Sequence, residues 1–456
     1  MRANCIVTDF SKDLRWAVQE LEAGNVDCVH QVSIYPQLRR QTFHGFGGAF
    51  TEAAAYSYQK LPAHRKRAFM DCCFGPSGLR YTVGRTHLNS CDFSLGNYAC
   101  MERDEDPVFH TERDEKYLLP MLHDAQKAAG KPIGLLVSPW SPPAFMKTNG
   151  DMNHGGKLKP AYWNLWAKCL AKYVRFYQEQ GCDVRMISIQ NEPAAVQIWD
   201  SCIYTAEEEG RFSITLRAAL EAEGCGDVQI LAWDHNKDIL VYRAQETMSV
   251  PGTEESVSGF AVHWYTGDHF DAVRLVKERW PDKNVWFTEG CVEYSRFDGM
   301  TPLQKAEMYA HDILGNLNAG ISGSIDWNLL LDSKGGPNHV GNFCEAPVML
   351  NADGSDFEVM SEYYYIGHFS RYIHPGAVCL GCSSFSADVE AAAFENPDGT
   401  KTAVLLNRTE KAQPVSVTEN AAEGFSLVLQ PHTIATLQWL SVKQDRRKEM
   451  QGKASK

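Results

Sequence analysis

Residues 186–193 read Met186-Ile187-Ser188-Ile189-Gln190-Asn191-Glu192-Pro193. A short apolar run leads straight into a carboxylate and a proline. A run of this length reads as a strand, and proline stops it. Just upstream, Pro160 suits a first helical turn. Trp163, Trp166, Leu170, Tyr173, Val174 and Tyr177 then make one apolar stripe, and Gly181 stands at the C-terminal cap. The pattern is therefore helix, strand, then a polar residue at the strand's end.

The same alternation extends in both directions. Short apolar runs lie at Phe46–Phe50, Tyr81–His87, Ile133–Ser138, Met186–Gln190, Gln229–Trp233, Gly259–Trp264, Val285–Thr288 and Ser322–Trp327. Several are apolar on both faces, as buried parallel strands are. Amphipathic stretches such as Glu207–Glu223 and Leu303–Asn318 fill the gaps. Eight strand–helix units over this length predict an α/β fold, a (β/α)8 TIM barrel over residues 43–375. The ends differ. Val26–Ile34 alternates, and Glu390–Phe394, Ala403–Asn407 and Phe425–Leu429 are short runs separated by turn signals such as Pro397-Asp398-Gly399. They predict a small antiparallel β-sandwich side domain built from residues 1–42 and 376–442. The charged stretch 443–456 is expected to be a flexible tail.

Composition narrows the function. The chain of 456 residues carries 44 basic and 57 acidic side chains, a net charge of −13. That balance argues against a nucleic-acid surface, which needs phosphate-neutralising Lys and Arg. No apolar stretch is long enough for a membrane span, so no stable membrane insertion is expected. Residues 1–13, MRANCIVTDFSKD, have no apolar core of the secretory kind. The 14 cysteines include the adjacent pair Cys72 and Cys73 and the Cys379–Cys382 spacing. None is set beside a second pair as a zinc site requires. They read as reduced thiols of a cytoplasmic protein. Oligomeric state leaves no signature in the sequence.

In such a barrel the chemistry sits at the C-terminal ends of the strands. Two carboxylates stand there. Glu192 follows the fourth run and Glu289 the seventh, both among Trp and His residues. A strand-end Glu is expensive to bury as an ion without partners, so two of them mark a site. Paired carboxylates on a barrel rim suit glycosidic bond cleavage, one donating a proton and the other attacking the anomeric carbon or activating water. Trp140, Trp199, Trp264, Tyr265 and Trp327 lie at or beyond strand ends, where aromatic planes can stack on a pyranose. A metal-dependent barrel hydrolase would show clustered His and carboxylates; only isolated His87 and His263 are present. No metal or other cofactor is needed by this chemistry.

The sequence resembles glycoside hydrolase family 30, in the branch of acid β-glucosidases. The matching motifs run in order from Gly45-Phe46-Gly47-Gly48-Ala49 with Thr51, through Ser90-Cys91-Asp92-Phe93-Ser94, Ser138-Pro139-Trp140 and Lys147-Thr148-Asn149-Gly150, to Asn191-Glu192-Pro193. They continue through Ala261-Val262-His263-Trp264-Tyr265, Glu289-Gly290-Cys291-Val292, Asp326-Trp327-Asn328-Leu329 and Gly335-Gly336-Pro337-Asn338 to Gly367-His368-Phe369-Ser370. The resemblance implies a retaining exo-β-glycosidase of terminal β-D-glucosides, with Glu192 as acid/base and Glu289 as nucleophile. It implies that Asn191 holds the sugar 2-hydroxyl. It also implies that Arg85, Asp92, Trp140, Trp327 and Asn342 line the subsite for the terminal sugar, and that His263 and Tyr265 tune the carboxylates. The expected partner is a small carbohydrate or β-glycoside. β-Xylosidase, β-fucosidase or β-1,6-glucanase activity are alternatives within the family; a non-catalytic carbohydrate-binding barrel is a more distant one. Glu52 departs from the family's usual Asp. The loop Ala194–Cys202, with Gln197 and Trp199, also departs, as does the loop around His339 and Val340. Trp199 is expected to shape the leaving-group side.

Overall fold

The computed structural model describes residues 1–25, 29–105, 108–419 and 423–440. The start of the Val26–Ile34 run and the expected tail at 443–456 lie outside the described residues. All eight expected runs form strands: β1 (Phe46–Phe50), β2 (Val83–Leu88), β3 (Gly134–Pro139), β4 (Asp183–Ser188), β5 (Gln229–Asn236), β6 (Gly259–His263), β7 (Asn284–Glu289) and β8 (Gly323–Asp326). Each pairs in parallel with the next, and β8 pairs back to β1, which closes the barrel. Val83, Leu136, Met186, Leu231, Ala261, Trp286 and Ile325, one from each of β2 to β8, pack in its interior. Small residues make room for the one indole among them. A Cβ on Gly323 would lie 2.1 Å from the Trp286 ring.

Two irregularities at the strand ends shape the barrel mouth. Between β5 and β6, Ala261 pairs with Trp233 but Val262 pairs with His235, so Asp234 is an extra residue. Between β6 and β7, Val262 pairs with Phe287 but His263 with Glu289, so Thr288 is extra as well. Such bulges re-aim side chains and are common at barrel rims beside functional sites.

The helices obey their sequence signals. After a 3-10 turn at Pro160–Tyr162, α1 (Trp163–Glu179) buries Trp166, Leu170, Tyr173, Val174 and Tyr177, and Gly181 follows with φ +79°. α2 (Ala206–Ala222) starts in a capping box. The Thr205 hydroxyl accepts from the Glu208 N–H at 3.1 Å, and the Glu208 carboxylate accepts from the Thr205 N–H at 2.7 Å. α3 (Pro302–Ala319) begins in the same way on Thr301 and Gln304.

The chain falls into two compact units. One comprises residues 46–299 and 323–359 and holds the barrel strands. The other comprises residues 1–45, 300–322 and those from 360 onward, so α3 and the helix Ser361–Ser370 group with the sandwich strands. In this second unit the strands join edge to edge in one ten-stranded sheet. Val32, Leu380, Leu405, Val417, Phe425 and Leu437 share its core. The N-terminal strands take part as expected: Arg2–Asp9 pairs with Thr433–Leu440, and Gln31–Phe43 with Ala377–Ser384. One pairing departs from the antiparallel expectation. Gln413–Thr418 runs parallel to Gln31–Phe43. A strand brought in from the far end of the chain is free of the hairpin turn that imposes antiparallel order. Among the described residues no helix is long and apolar enough to cross a membrane.

Candidate active site

The ends of β4 and β7 bring the two glutamates together. One carboxylate oxygen of Glu192, one of Glu289 and one ring nitrogen of His263 lie within 4.8 Å of one another. Glu192 adopts φ +46°, a left-handed conformation costly for a side chain with a Cβ. Its N–H donates to the Asp234 carbonyl at 2.9 Å, which ties the tip of β4 to the bulge of β5.

Glu289 is held by two donors. Arg85 Nη1 donates to Oε2 at 2.6 Å, and the Tyr265 hydroxyl donates to Oε1 at 3.0 Å. Arg85, on β2, is fully buried. Its Nη2 donates to Asn191 Oδ1 and to Asp234 Oδ2, each at 2.8 Å, its Nε to Ser138 Oγ at 3.1 Å, and its Nη1 also to the Thr288 carbonyl at 3.3 Å. All of its N–H groups thus find acceptors. Since Asn191 Oδ1 faces Arg85, the Asn191 amide N–H groups are left for a ligand.

Above these groups lies a cavity of about 290 Å³. Asp92, Trp140, Asn191, Glu192, Trp199, Tyr265, Glu289, Trp327 and Asn342 line it, each of them singled out in the sequence. Trp140 and Trp327 stack with ring centres 5.3 Å apart, and the Arg85 guanidinium lies 4.8 Å from the Trp140 ring. The Asn338 amide donates to Asp92 at 3.3 Å. Two expected members stand behind the wall. Arg85 and His263 are fully buried and reach the carboxylates, so Arg85 does not line the sugar subsite as the resemblance implied. Trp264 packs on Phe287, with ring centres 6.0 Å apart, outside the cavity lining. His87 is a satisfied core histidine; its Nε2 accepts the Glu52 N–H at 2.9 Å and its Nδ1 meets the Asn89 carbonyl at 2.7 Å. Glu52 bonds Arg113 at 2.6 Å and the Leu95 N–H at 2.9 Å, a structural role.

Sequence reasoning missed Asp234, His235, Asn236, Glu293 and Arg296. His235, Asn236, Glu293 and Arg296 line the cavity. Asp234 sits beneath it, fully buried, bonded by Arg85, by His263 Nε2 at 3.1 Å and by the Thr288 hydroxyl at 2.7 Å. The signal was available, since Asp234 directly follows the apolar run Gln229–Trp233.

The charges explain one another. Burial opposes the Asp234 carboxylate, but the Arg85 charge and the His263 bond outweigh it and hold Asp234 well below the usual carboxylate range. Burial pushes His263 down, and the Glu289 charge with the bonds to Asp234 and Glu192 outweighs it, lifting the ring to about 9. Burial holds His235 neutral, near 4. Burial, with the Glu289 and Asp200 charges, pushes Asp92 well up. Burial raises Glu289, together with the Glu192 and Asp234 carboxylates and against His263 and Arg85. Burial also opposes ionisation of Glu192, but the His263 bond and the charges of His263 and Arg85 hold it low. The two glutamates therefore titrate as one pair. The spacing of Glu192, His263 and Glu289 would also suit a cation, but Arg85 and the His263 imidazolium already supply the compensating charge.

Comparison with known proteins agrees with this arrangement. Residues 43–373 match the glycosyl hydrolase family 30 TIM-barrel domain, and residues 376–437 the family 30 beta sandwich domain. The chain is 30% identical to the lysosomal acid glucosylceramidase of Mus musculus over 443 residues, covering 93% of this chain and 86% of that protein. It is 27% identical to the endo-1,6-beta-D-glucanase neg1 of Aspergillus fumigatus over 420 residues, covering 85% of this chain and 83% of that one. The crystal structure of SrfJ from Salmonella typhimurium superposes with a TM-score of 0.94 at 38% identity, covering 97% of this chain and all of that one. Barrel, sandwich and motif order lead to one conclusion: the chain belongs to glycoside hydrolase family 30, whose members are glycosidases.

Proposed function

We propose that this protein is a retaining exo-β-glycosidase acting on terminal β-D-glucosides, with Glu289 as nucleophile and Glu192 as acid/base. The observation that carries this is the approach of the two carboxylates to within 4.8 Å. Retaining pairs stand ~5–5.5 Å apart, whereas inverting pairs leave ~6.5–9.5 Å for a water. The roles follow from the donors. Both Glu289 oxygens accept a hydrogen bond, from Arg85 and from Tyr265. Two donors, one of them the Arg85 cation, favour Glu289 as the anionic partner, and on this reading the entering glycoside shifts the pair's proton to Glu192.

In the first step a Glu289 oxygen attacks the anomeric carbon. The bond from that carbon to the leaving oxygen breaks, and Glu192 gives that oxygen its proton. In the second step Glu192 takes a proton from water and the water oxygen attacks the anomeric carbon. The glycosyl ester breaks and Glu289 leaves as a carboxylate. Asn191, oriented by Arg85, is placed to hold the sugar 2-hydroxyl, a contact that strengthens as positive charge develops on the ring. The stacked Trp140 and Trp327 offer an apolar floor to one pyranose. The cavity of about 290 Å³ suits exo action on a terminal sugar.

A β-1,6-glucanase is the second reading. Polar Gln197, Asn236, Glu293 and Arg296 beside Trp199 fit a sugar leaving group. No disulfide joins any of the described cysteines, even Cys291 and Cys344 with sulfurs 3.1 Å apart, which fits a cytoplasmic enzyme of small imported glycosides.

The test is a panel of 4-nitrophenyl β-glucoside, β-xyloside, β-fucoside, β-galactoside and α-glucoside, with a β-1,6-linked glucan alongside. Wild type is expected to hydrolyse the β-glucoside and Glu289→Gln to lose that activity. Glu192→Gln should suffer less on the activated nitrophenolate, and azide should restore it. Release of the α-anomer of glucose as first product would overturn the retaining assignment.

A further inference from the structure

We propose that Asp234 is a positioning residue that, through His263, keeps Glu192 ready to take a proton from water in the second step. The inference rests on the double displacement proposed above and assigns a role to a residue that lines no part of the cavity.

Geometry carries it. Asp234 is the extra residue of the β5 bulge, at φ +46°, and is fully buried. The bulge turns its carboxylate under the barrel mouth, where period-two alternation would have pointed it away. There it bridges the two cations that serve the two glutamates. Oδ2 accepts from Arg85, the partner of Glu289, at 2.8 Å, and Oδ1 accepts from His263 Nε2 at 3.1 Å. The other ring nitrogen of His263 faces Glu192 Oε1 at 3.4 Å. Thr288, the extra residue of the neighbouring bulge, donates to Asp234 Oδ1 at 2.7 Å. Two local irregularities thus converge on one carboxylate.

The groups facing His263 are Asp234 and His235 from β5, Glu192 from the end of β4, Glu289 from β7 and Tyr265 beyond its own strand. Arg85 reaches it through Asp234. With Asp234 ionised, His263 is an imidazolium and donates from both nitrogens. Its Nδ1–H then favours an ionised Glu192, which the second step needs as base. With the Asp234 charge removed and the Glu289 charge cancelled by its glycosyl ester, His263 becomes neutral, and Nε2–H still donates to the residue at 234. The bare Nδ1 then faces Glu192 and holds a proton on its carboxyl. Glu192 remains a competent acid for the first step but a poor base for the second.

The test is Asp234→Asn with 2,4-dinitrophenyl β-glucoside. We expect a burst of one equivalent of dinitrophenolate, then steady-state turnover slowed roughly ten- to a hundredfold, part of the ~10²–10⁴-fold that base catalysis supplies. Intact mass should show the glycosyl-enzyme accumulating. Azide, which needs no base, should restore turnover. His263→Gln should give the same burst, and the double variant should be no slower than either single one. NMR of ¹³C-labelled histidine reads the cause directly. One imidazole, assigned by its absence in His263→Gln, should stay protonated well above the ordinary ~6.5 in wild type and lose its proton at a distinctly lower pH in Asp234→Asn. A merely structural Asp234 would lower the yield of active enzyme without changing the burst or the imidazole titration, and that result overturns the proposal. If Asp234→Asn does not fold, His263→Gln decides, and turnover without a burst overturns it. A wild type inert on every β-glycoside would instead sink the functional reading, while the imidazole titration would still report on the Asp234–His263 pair.

Discussion

Arg85→Lys isolates the geometry of the guanidinium from its charge. Arg85 is fully buried and gives hydrogen bonds to Glu289, Asn191, Asp234, Ser138 and the Thr288 carbonyl, between 2.6 and 3.3 Å. A lysine keeps the charge but has three donors at a single nitrogen. At least two of the five buried acceptors are left unpaired, at ~1–3 kcal/mol each, so the fold should lose about 2–6 kcal/mol. The chemistry is hit separately. If the ammonium stays with Asp234, Glu289 loses a charge-assisted bond of ~1.5–3 kcal/mol, and Asn191 loses the group that orients its amide. That predicts a fall in kcat/KM of roughly ten- to 140-fold, at ~1.4 kcal/mol per factor of ten. The assay is kcat/KM on 4-nitrophenyl β-glucoside beside a thermal melt, with active sites counted by burst titration so that misfolded protein is not read as slow chemistry. An Arg85→Lys enzyme within about twofold of wild type in kcat/KM, less than ~0.5 kcal/mol, would refute the reasoning.

If Trp140 stacks on the sugar as proposed, Trp140→Ala should raise KM more than it lowers kcat, by about tenfold or more, because such a face binds ground and transition states alike; a larger effect on kcat in steady-state kinetics would place Trp140 in the chemistry instead. His235 near 4 and His368 near 3 are buried neutral, below the unfolded value of ~6.5. Depressed values mean that the unfolded chain takes up these protons first, so their stability is complete above ~6.5 and is lost as pH falls through the folded values. His368 lies between the Thr436 and Thr8 hydroxyls, each at 2.8 Å. A His368→Gln variant should unfold less steeply with acid in urea titrations between about pH 6 and pH 4; an unchanged slope would count against this origin.

The sequence by itself was enough to place the eight strands, because each is a short run apolar enough to be buried on both faces, and burial leaves its mark on composition whatever the topology. It also singled out Glu192 and Glu289 as carboxylates at the ends of such runs, and the fold brings the two close together. Closure of β8 on β1 followed from the count of units. Other features were decided only by the tertiary structure. Asp234 follows its run as plainly as Glu192 does, but only the bulge turns it inward, and a bulge is a misfit between neighbouring strands that neither strand encodes alone. Arg85 reads as a ligand for sugar until its five bonds are seen to be taken by groups as far as 204 positions away. His263 is lifted to about 9 and His235 sinks to about 4, though both are buried beside Glu192. The difference is that His263 also bonds Asp234 and feels Glu289. The parallel pairing of Gln413–Thr418 with Gln31–Phe43 joins segments from opposite ends of the chain. Local patterning follows from which residues must be hidden from water, and that is written along the chain. Which side chain meets which charge depends on distances that exist only once the chain has folded.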